Sequence, residues 1–524
     1  MAVPSGNVLY YGDNLDVLRR HVAGESVDLV YLDPPFNSNA SYNVLFDRAD
    51  GTQAAAQIKA FDDTWHWDQA AAAAFEEVIT GGGNVANALA AFQTLLGPST
   101  MLAYLSMMAP RLMELRRVLK DAGSLFLHCD PTASHYLKLL LDSVFGPQGF
   151  RNEIIWHYGG RGAKAISKQF PRNHDVLLWY SKGASWTYEK QFVETLLTEN
   201  EAKEAGYRRD DEGRWFKTAP RGDYTDKSIE RLRGEGRIHD TSSGGVRVKY
   251  FLEQKGNKVV ETKLIGDVWN DIADAMHMPK RERLGYPTQK PEELLDRVIE
   301  AASHEGDVVL DPFCGCGATI ASAQRLGRRW IGIDITYLAI SLIKHRLTER
   351  GTSDYTVLGE PTTADDAAQL AKDDPYQFQW WALGLIGARP AETKKGADKG
   401  IDGRLYFFDE AGGKPKQLIV SIKAGKVQVP HVRDLIGVLQ REQAQIGTLI
   451  SLNEPTQPMR EEAASAGVYK SPWGTHPRVQ LLTVAELLGG RRLDMPAAGA
   501  HMTQVALPPM PEPTVHPEQL TLGS

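Results

Sequence analysis

The sequence predicts an α/β protein: a parallel sheet with helices on both faces, followed by a second, smaller α/β domain. Three observations carry that prediction. Short, nearly continuous apolar runs ending in a carboxylate recur as SVDLVYLD at 26–33, GSLFLHCD at 123–130, DVVLD at 307–311 and RWIGID at 329–334, and such runs suit strands buried on both faces. Helical stretches follow them: TASHYLKLLLDSVFG opens after Asp130 and stops at Gly146, and another runs from a Gly-rich turn to about Leu326. Repeated strand-loop-helix units place ligands in the crevice beyond the strand C-termini. Beyond residue 375 a separate alternation begins: a helix around 376–388, strands near 405–409 and 417–423, a helix at 431–444, and strands near 446–452 and 478–484.

The length of 524 residues allows about three domains. With 42% apolar and 24% charged residues, most of the chain can bury a core. The formal charge of -7 argues against a uniformly basic nucleic-acid coat but leaves room for a local basic groove. No apolar run is long enough to span a bilayer, and MAVPSGNVLYYGDN has neither a basic nor an apolar leader region, so a soluble, cytoplasmic protein without membrane contact is expected. Three cysteines, Cys129, Cys314 and Cys316, are too few and too oddly spaced for a disulfide framework or a four-ligand zinc site.

Between the strand-helix blocks lie two irregular stretches. Residues 47–100 read as an inserted helical lobe or loop, with Ala-rich sequence and Gly81-Gly82-Gly83. Residues 151–285 interleave Arg and Lys with aromatics; Arg151, Arg161, Lys164, Lys168 and Arg172 stand against Glu153 alone. A second basic cluster, Arg208 to Arg237, is nearly cancelled by acids and by itself reads as a solvated surface. The expected division is 1–150 and 286–358 as two halves of one core, 151–285 inserted between them, a linker at 359–375 without apolar periodicity, a domain at 376–490, and a Pro-rich disordered tail at 491–524.

Two motifs carry the chemistry. Asp33-Pro34-Pro35-Phe36 stands at the end of a predicted strand. The two prolines fix the backbone and leave the Pro34 carbonyl free, so Asp33 and that carbonyl can accept both hydrogens of an exocyclic NH2, with Phe36 stacked on the attached ring. Taken alone, the motif also fits a strand followed by a rigid turn. The second motif, Asp311-Pro312-Phe313-Cys314-Gly315-Cys316-Gly317, lets the chain turn tightly at a helix N-terminus, and Asp334, nineteen residues beyond Gly315, ends the next strand where an acid can hold ribose hydroxyls. The third glycine of a dinucleotide fingerprint is replaced by Ile320, and Asp311 would repel a pyrophosphate but favour an ammonium group.

Together the motifs resemble the amino-methyltransferases of DNA. The order, DPPF first and FCGCG last with a basic segment between, resembles the beta class. The resemblance implies a Rossmann-like methyltransferase sheet with an inserted target-recognition region, S-adenosylmethionine as methyl donor, double-stranded DNA as partner, and a restriction-modification or defence setting. It assigns catalysis to Asp33, Pro34, Pro35 and Phe36, and donor binding to Asp311, Phe313, Gly315, Gly317 and Asp334. Tyr286-Pro287-Thr288-Gln289-Lys290-Pro291 resembles an element beside the donor's methionine end, which implicates Lys290. Tyr11-Gly12-Asp13-Asn14-Leu15 resembles one near its adenine, which implicates Asp13; a simple helix cap explains Asp13 equally well. Asp in the first motif position resembles adenine-N6 enzymes, with cytosine N4 as the alternative. The target base must leave the duplex. Relatives of this class often form homodimers.

The second domain carries Asp402 at the start of one strand and Lys423 in the next. A carboxylate and a lysine so placed can share a magnesium site, Asp402 holding the metal and Lys423 positioning water. This resembles the Mrr-like branch of the PD-(D/E)xK nucleases, a restriction-endonuclease-like α/β domain. Ser421 stands where that family has Glu or Gln, and Gln377 and Gln379 lie where relatives place a Glu. DNA cleavage with Mg2+ is one expectation; a domain that only binds DNA or a partner is the other.

Overall fold

A computed structural model of the chain describes residues 6–35, 41–47, 53–62, 67–159, 170, 172–241, 243–256, 258–274, 277–279, 282–284, 286, 288–390, 400–407, 416–472 and 474–496. The chain divides into two compact units, Met1–Thr187 with Asn270–Ser524, and Tyr188–Trp269.

The first unit is organised by a sheet whose strands run, in spatial order, Phe150–His157, His174–Ser181, Leu119–Cys129, Val27–Leu32, Val308–Asp311, Arg329–Asp334, Asn7–Tyr11 and Tyr355–Leu358. From Leu119–Cys129 to Tyr355–Leu358 all neighbours are parallel. The apolar runs form strands because both faces are covered: Leu29, Val30, Tyr31 and Leu32 are at most 1% exposed. Helix Thr100–Val118 supplies Leu105, Leu112 and Leu115 to the cluster beneath them. The helix after Asp130 spans Ser134–Phe145 and ends on Gly146 at φ 84°, a left-handed stop that glycine adopts without strain.

A second sheet lies within the same unit, in the order Arg389–Pro390, Gly403–Phe407, Lys416–Lys423, Ile446–Ser451, Val479–Thr483. The first three strands are antiparallel and the last two join in parallel. Helices Pro375–Gly384 and Val429–Arg441 stand on separate apolar clusters built around this sheet.

Four sequence expectations change. The supposed linker contains helix Ala364–Asp373, opened by a reciprocal cap between Thr363 and Asp366 and anchored through buried Ala367 and Ala371 with half-buried Leu370; an apolar face made mostly of alanine is too faint to register as periodicity. The irregular stretch before the helices holds an antiparallel pair, Ser41–Asp47 with Gln53–Asp62. Residues 150–157 and 174–181 form a hairpin in the central sheet instead of belonging to the insertion, which contracts to Tyr188–Trp269. At the start of the expected tail, Asp494 is tied down by its backbone N–H to Gln480 Oε1 (2.9 Å) and by its carboxylate to His476 Nδ1 (2.7 Å); the tail from residue 497 lies outside the described residues.

The second unit is built on two small antiparallel sheets around Trp215, Tyr207 and Val259, and around Ile229, Leu232 and Val248.

Candidate active site

Strands Val27–Leu32 and Val308–Asp311 lie side by side, Leu310 opposite Val30, and the sheet grows away from them in opposite directions. Such a reversal opens a crevice at the strand C-termini. Asp33 follows the first strand, Asp311 ends the second, and Asp334 ends the strand next to it. Three carboxylates separated by up to 301 positions in the chain thereby face one region.

Asp311 is 3% exposed and accepts the Phe313 N–H at 3.0 Å. Burial, reinforced by the charges of Asp33 and Asp334 and opposed by bonds from Thr319 and Phe313, pushes its carboxyl up to about 7. Burial also raises the Asp334 carboxyl, which accepts the Gly315 N–H (2.9 Å) on one oxygen and the Thr336 N–H and hydroxyl (both 2.8 Å) on the other. Gly315 and Gly317 have φ of 48° and 77°, and a Cβ on Gly317 would meet Ile343 Cγ1 at 2.6 Å, so both left-handed conformation and close approach call for glycine there. A concentration of buried acid suits an organic cation better than a pyrophosphate.

Asp33 is held by Lys290, whose Nζ lies 2.7 Å from Oδ2, both side chains being mostly buried. The sequence placed Lys290 beside the donor; the fold brings it onto the Asp33 carboxylate. Gln289 anchors that loop, accepting the Leu284 N–H and donating to the Glu282 carbonyl. Below Asp33, Tyr31 OH meets His128 Nδ1 at 2.8 Å, and His128 Nε2 meets Asp175 Oδ2 at 3.1 Å. Burial pushes the Asp175 carboxyl up, but the bond with His128 and the charge of Lys290 outweigh it and hold it below the usual range. Pro34 is buried and Pro35 half-buried; Phe36 lies outside the described residues, as do Pro287, Arg161, Lys164 and Lys168.

Asp13 is the N-cap of helix Asn14–His21, accepting from Leu15 N (2.9 Å) and Asp16 N (3.3 Å), while its second oxygen accepts from Arg111 (2.7 Å). Arg111 also donates to Asn14 Oδ1 at 2.6 Å, and Asn14 Nδ2 donates to the Pro312 carbonyl at 2.8 Å. This buried bracket, missed from sequence, fastens the N-terminal loop to the Asp311 loop. A second bracket joins Glu292 to Arg346 (2.7 Å) and Arg350, and Arg346 to the Cys316 carbonyl (3.0 Å). Cys314 and Cys316 are buried, and burial raises both thiols, Cys316 to about 11, so they stay protonated and inert.

The smaller sheet carries a second cluster. Asp402 Oδ2 accepts the Ile422 N–H (2.5 Å) and the Ser421 hydroxyl (3.3 Å), Oδ1 accepts Gln379 Nε2 (2.6 Å), and Lys423 Nζ stands 3.9 Å from Oδ2. The sequence pairing of Asp402, Ser421 and Lys423 is therefore assembled, with Gln379 added from a helix. Among the described residues no group of three or more His, Cys, Asp or Glu is gathered for a metal. The oxygens available, one carboxylate with a side-chain amide and a hydroxyl, are hard ligands, and magnesium is often held by one or two carboxylates plus water and phosphate.

In the Tyr188–Trp269 unit many basic residues have acidic partners: Arg209 with Glu199, Arg214 with Asp210, Arg221 with Asp226, Arg233 with Asp240. Tyr224 and Tyr250 are exposed and adjacent, their hydroxyls 3.4 Å apart, and Lys249 covers Phe216. Arg151 lies 3.5 Å over the Trp186 ring in the first unit.

Residues 27–345 match the DNA methylase family. The chain belongs to that family. Residues 373–488 match a restriction endonuclease family. Among curated proteins, the chain is 27% identical to the type II methyltransferase M.EcaI of Enterobacter cloacae over 65% of its length and 69% of that protein's. It is also 27% identical to the Mod subunit of the type III restriction-modification enzyme StyLTI of Salmonella typhimurium, over 62% of this chain and 50% of that one. It thus spans about half the length of the latter. A solved structure of a DNA modification methylase from Thermus thermophilus, described as putative and complexed with S-adenosyl-L-methionine, covers 68% of this chain and 99% of its own at 17% identity, with a TM-score of 0.35. No helix among the described residues is long and apolar enough to cross a membrane. In this DNA methylase the family match spans Asp33, Lys290, Asp311 and Asp334, and the endonuclease match spans Gln379, Asp402, Ser421 and Lys423.

Proposed function

We propose that this DNA methylase is a beta-class enzyme that methylates the exocyclic N6 amine of adenine flipped from double-stranded DNA, in a restriction-modification setting in the cytoplasm. The observation that carries the reading is the crevice in which Asp33 and Asp311 stand at the ends of adjacent strands with Asp334 beside them. Asp311 suits the donor's ammonium group and Asp334 its ribose hydroxyls, while Gly315 and Gly317 let the backbone come close. S-adenosylmethionine supplies a methyl group activated on sulfonium. Asp33 and the Pro34 carbonyl accept the amine's two hydrogens, orienting the nitrogen lone pair, and Lys290 fixes the carboxylate in place. The Asp33 carboxylate also stands where the surplus proton leaves the methylated amine. Asp13, with both oxygens engaged, shapes the loop.

The C-terminal domain is assigned magnesium-dependent DNA cleavage, Asp402 holding the metal with Gln379 and Ser421, and Lys423 positioning water. A second reading, binding of DNA without cleavage, is favoured by Asp402 being the one carboxylate in this cluster among the described residues. The test for the first domain is transfer of labelled methyl from S-adenosylmethionine to DNA followed by nucleoside analysis: N6-methyldeoxyadenosine is expected, and N4-methyldeoxycytidine overturns the choice of base. For the second, cleavage should require magnesium and vanish in Lys423→Ala. Light scattering of the purified chain reads the homodimer.

A further inference from the structure

Beneath Asp33 lies a buried polar chain to which the proposed chemistry gives no role. Tyr31, His128, Asp175 and Trp156 come from four neighbouring strands and share one face of the sheet. Tyr31 pairs with Phe126, two residues before His128; His128 pairs with Leu177, two residues after Asp175; and Asp175 pairs with Trp156. Tyr31 and His128 are fully buried. Tyr31 OH lies 2.8 Å from His128 Nδ1, His128 Nε2 lies 3.1 Å from Asp175 Oδ2, and Tyr158 OH reaches the other Asp175 oxygen at 3.5 Å. The Trp156 ring closes the far side, edge-on to His128 and donating its indole N–H to the Ile272 carbonyl at 3.1 Å. Burial and nearby acids keep the Tyr31 phenol protonated, and among the described residues its hydroxyl has no partner but His128, so it donates to Nδ1. That leaves the imidazole proton on Nε2, aimed at Asp175. Against burial, which favours the neutral acid, the His128 bond and the Lys290 charge keep Asp175 ionised. Lys290, with its Nζ 2.7 Å from Asp33, therefore stands in the field of two carboxylates, and one negative charge is left uncancelled. Asp130, at the end of the His128 strand, is countered by Arg172 at 3.6 Å.

We propose that Asp175 is a positioning residue for methyl transfer: held by His128 and Tyr31, it shares the Lys290 ammonium, so that Lys290 orients Asp33 without cancelling the negative charge beside the amine. This rests on the roles given above to Asp33 and Lys290. The reason is the direction in which charge moves. As the bond from carbon to nitrogen forms and the bond from carbon to sulfur breaks, positive charge leaves the sulfur for the amine nitrogen, and the surplus proton then passes to Asp33. A neutral ion pair beside that nitrogen does little for the developing cation, whereas an uncancelled carboxylate fixed in a buried setting stabilises it. The bond from Tyr31 to Nδ1 serves the same end, because an imidazolium at His128 would cancel what Asp175 supplies.

Single-turnover transfer of labelled methyl from S-adenosylmethionine to duplex DNA, measured on the full chain at saturating donor and DNA, reads the charge effect. Calorimetric donor affinity, the DNA dependence of the rate and Tm, measured alongside, read structure. Asp175→Asn keeps the shape and an acceptor and removes the charge; the transfer rate should fall about 10- to 100-fold with donor Kd, DNA half-saturation and Tm unchanged. His128→Leu removes both bonds of the chain and should lose at least as much rate. His128→Gln, whose amide can accept from Tyr31 and donate to Asp175, should recover most of it. Asp33→Ala separates the two levels of the reading. If it is inactive while Asp175→Asn transfers at the wild-type rate, the role of Asp175 alone is overturned; if it stays active, the reading of the crevice falls and this inference with it. A slower Asp175→Asn that also binds donor or DNA proportionately more weakly, or melts lower, makes Asp175 a structural residue and overturns the positioning role. A folded His128→Leu with wild-type rate removes His128 and Tyr31 from the proposal; if that variant does not fold, Asp175→Asn decides.

Discussion

The two clusters are built on the same pair of residue types and differ in what surrounds them. In the methyltransferase crevice a lysine locks an aspartate at 2.7 Å, and two further carboxylates, Asp311 and Asp334, stand at neighbouring strand ends. In the endonuclease-like domain the lysine stands off at 3.9 Å, and a glutamine and a serine occupy the places around the aspartate. The first arrangement concentrates buried negative charge able to receive a large organic cation. Among the described residues the second offers one carboxylate and neutral oxygens, a weak cradle for a small divalent ion. The difference teaches that an Asp-Lys pair does not define a chemistry; the count and burial of the neighbouring acids do.

The largest expected effect comes from removing the first pair's acid. Asp33→Ala should lower methyl transfer by about 10³-fold while leaving donor binding measurable by calorimetry; activity within tenfold of wild type would remove Asp33 from its role. Next is the pH dependence of donor binding. The Asp311 carboxyl is raised to about 7, so the protonated form dominates below that pH and the ionised form above it. The donor's ammonium prefers the ionised form, so its binding should release a proton at low pH and tighten about tenfold from pH 6 to 8, levelling off above. In Asp311→Asn that slope should disappear; a slope of equal size in the variant assigns it to another group.

The comparison can also be narrowed from the weaker side. Gln379→Glu adds an acid beside Asp402 without changing side-chain size, and magnesium affinity should rise several-fold, by roughly the effect of one added ligand charge; unchanged affinity in a folded variant places the metal elsewhere. The smallest effect concerns the element between the two regions. Thr363→Ala removes the cap of helix Ala364–Asp373 and should cost about 1 kcal/mol in urea unfolding. A loss below about 0.3 kcal/mol means the reciprocal cap contributes little to that helix.

Much of the methyltransferase half was legible. The strands ending at Leu32, Asp311 and Asp334 announced themselves as apolar runs, because burial on both faces leaves no polar alternation to blur them. Gly315 and Gly317 were legible because positive φ and close approach exclude other residues. Helix Ala364–Asp373 was not, since alanine contributes little hydrophobicity, and its reciprocal cap, T-x-x-D, lacks the Glu or Gln that usually marks such a start. The hairpin Phe150–His157 with His174–Ser181 is hidden among the interleaved Arg, Lys and aromatic residues that mark 151–285 as an insertion, although DVLLWYS is itself a buried strand pattern.

The sequence by itself determined the α/β class, the motif order, the acids at the strand ends and the Asp402–Lys423 pairing, because each follows from local patterning or from adjacency in a hairpin. Only the tertiary structure decided who touches whom across 23 to 298 positions of chain: Lys290 on Asp33, Arg111 through Asn14 on the Asp311 loop, and Gln377 and Gln379 reaching from one helix to Tyr337 and Asp402. The physical reason is that these contacts are set by how sheets and helices pack, and a charge or an amide carries no mark in the chain of the partner it will meet.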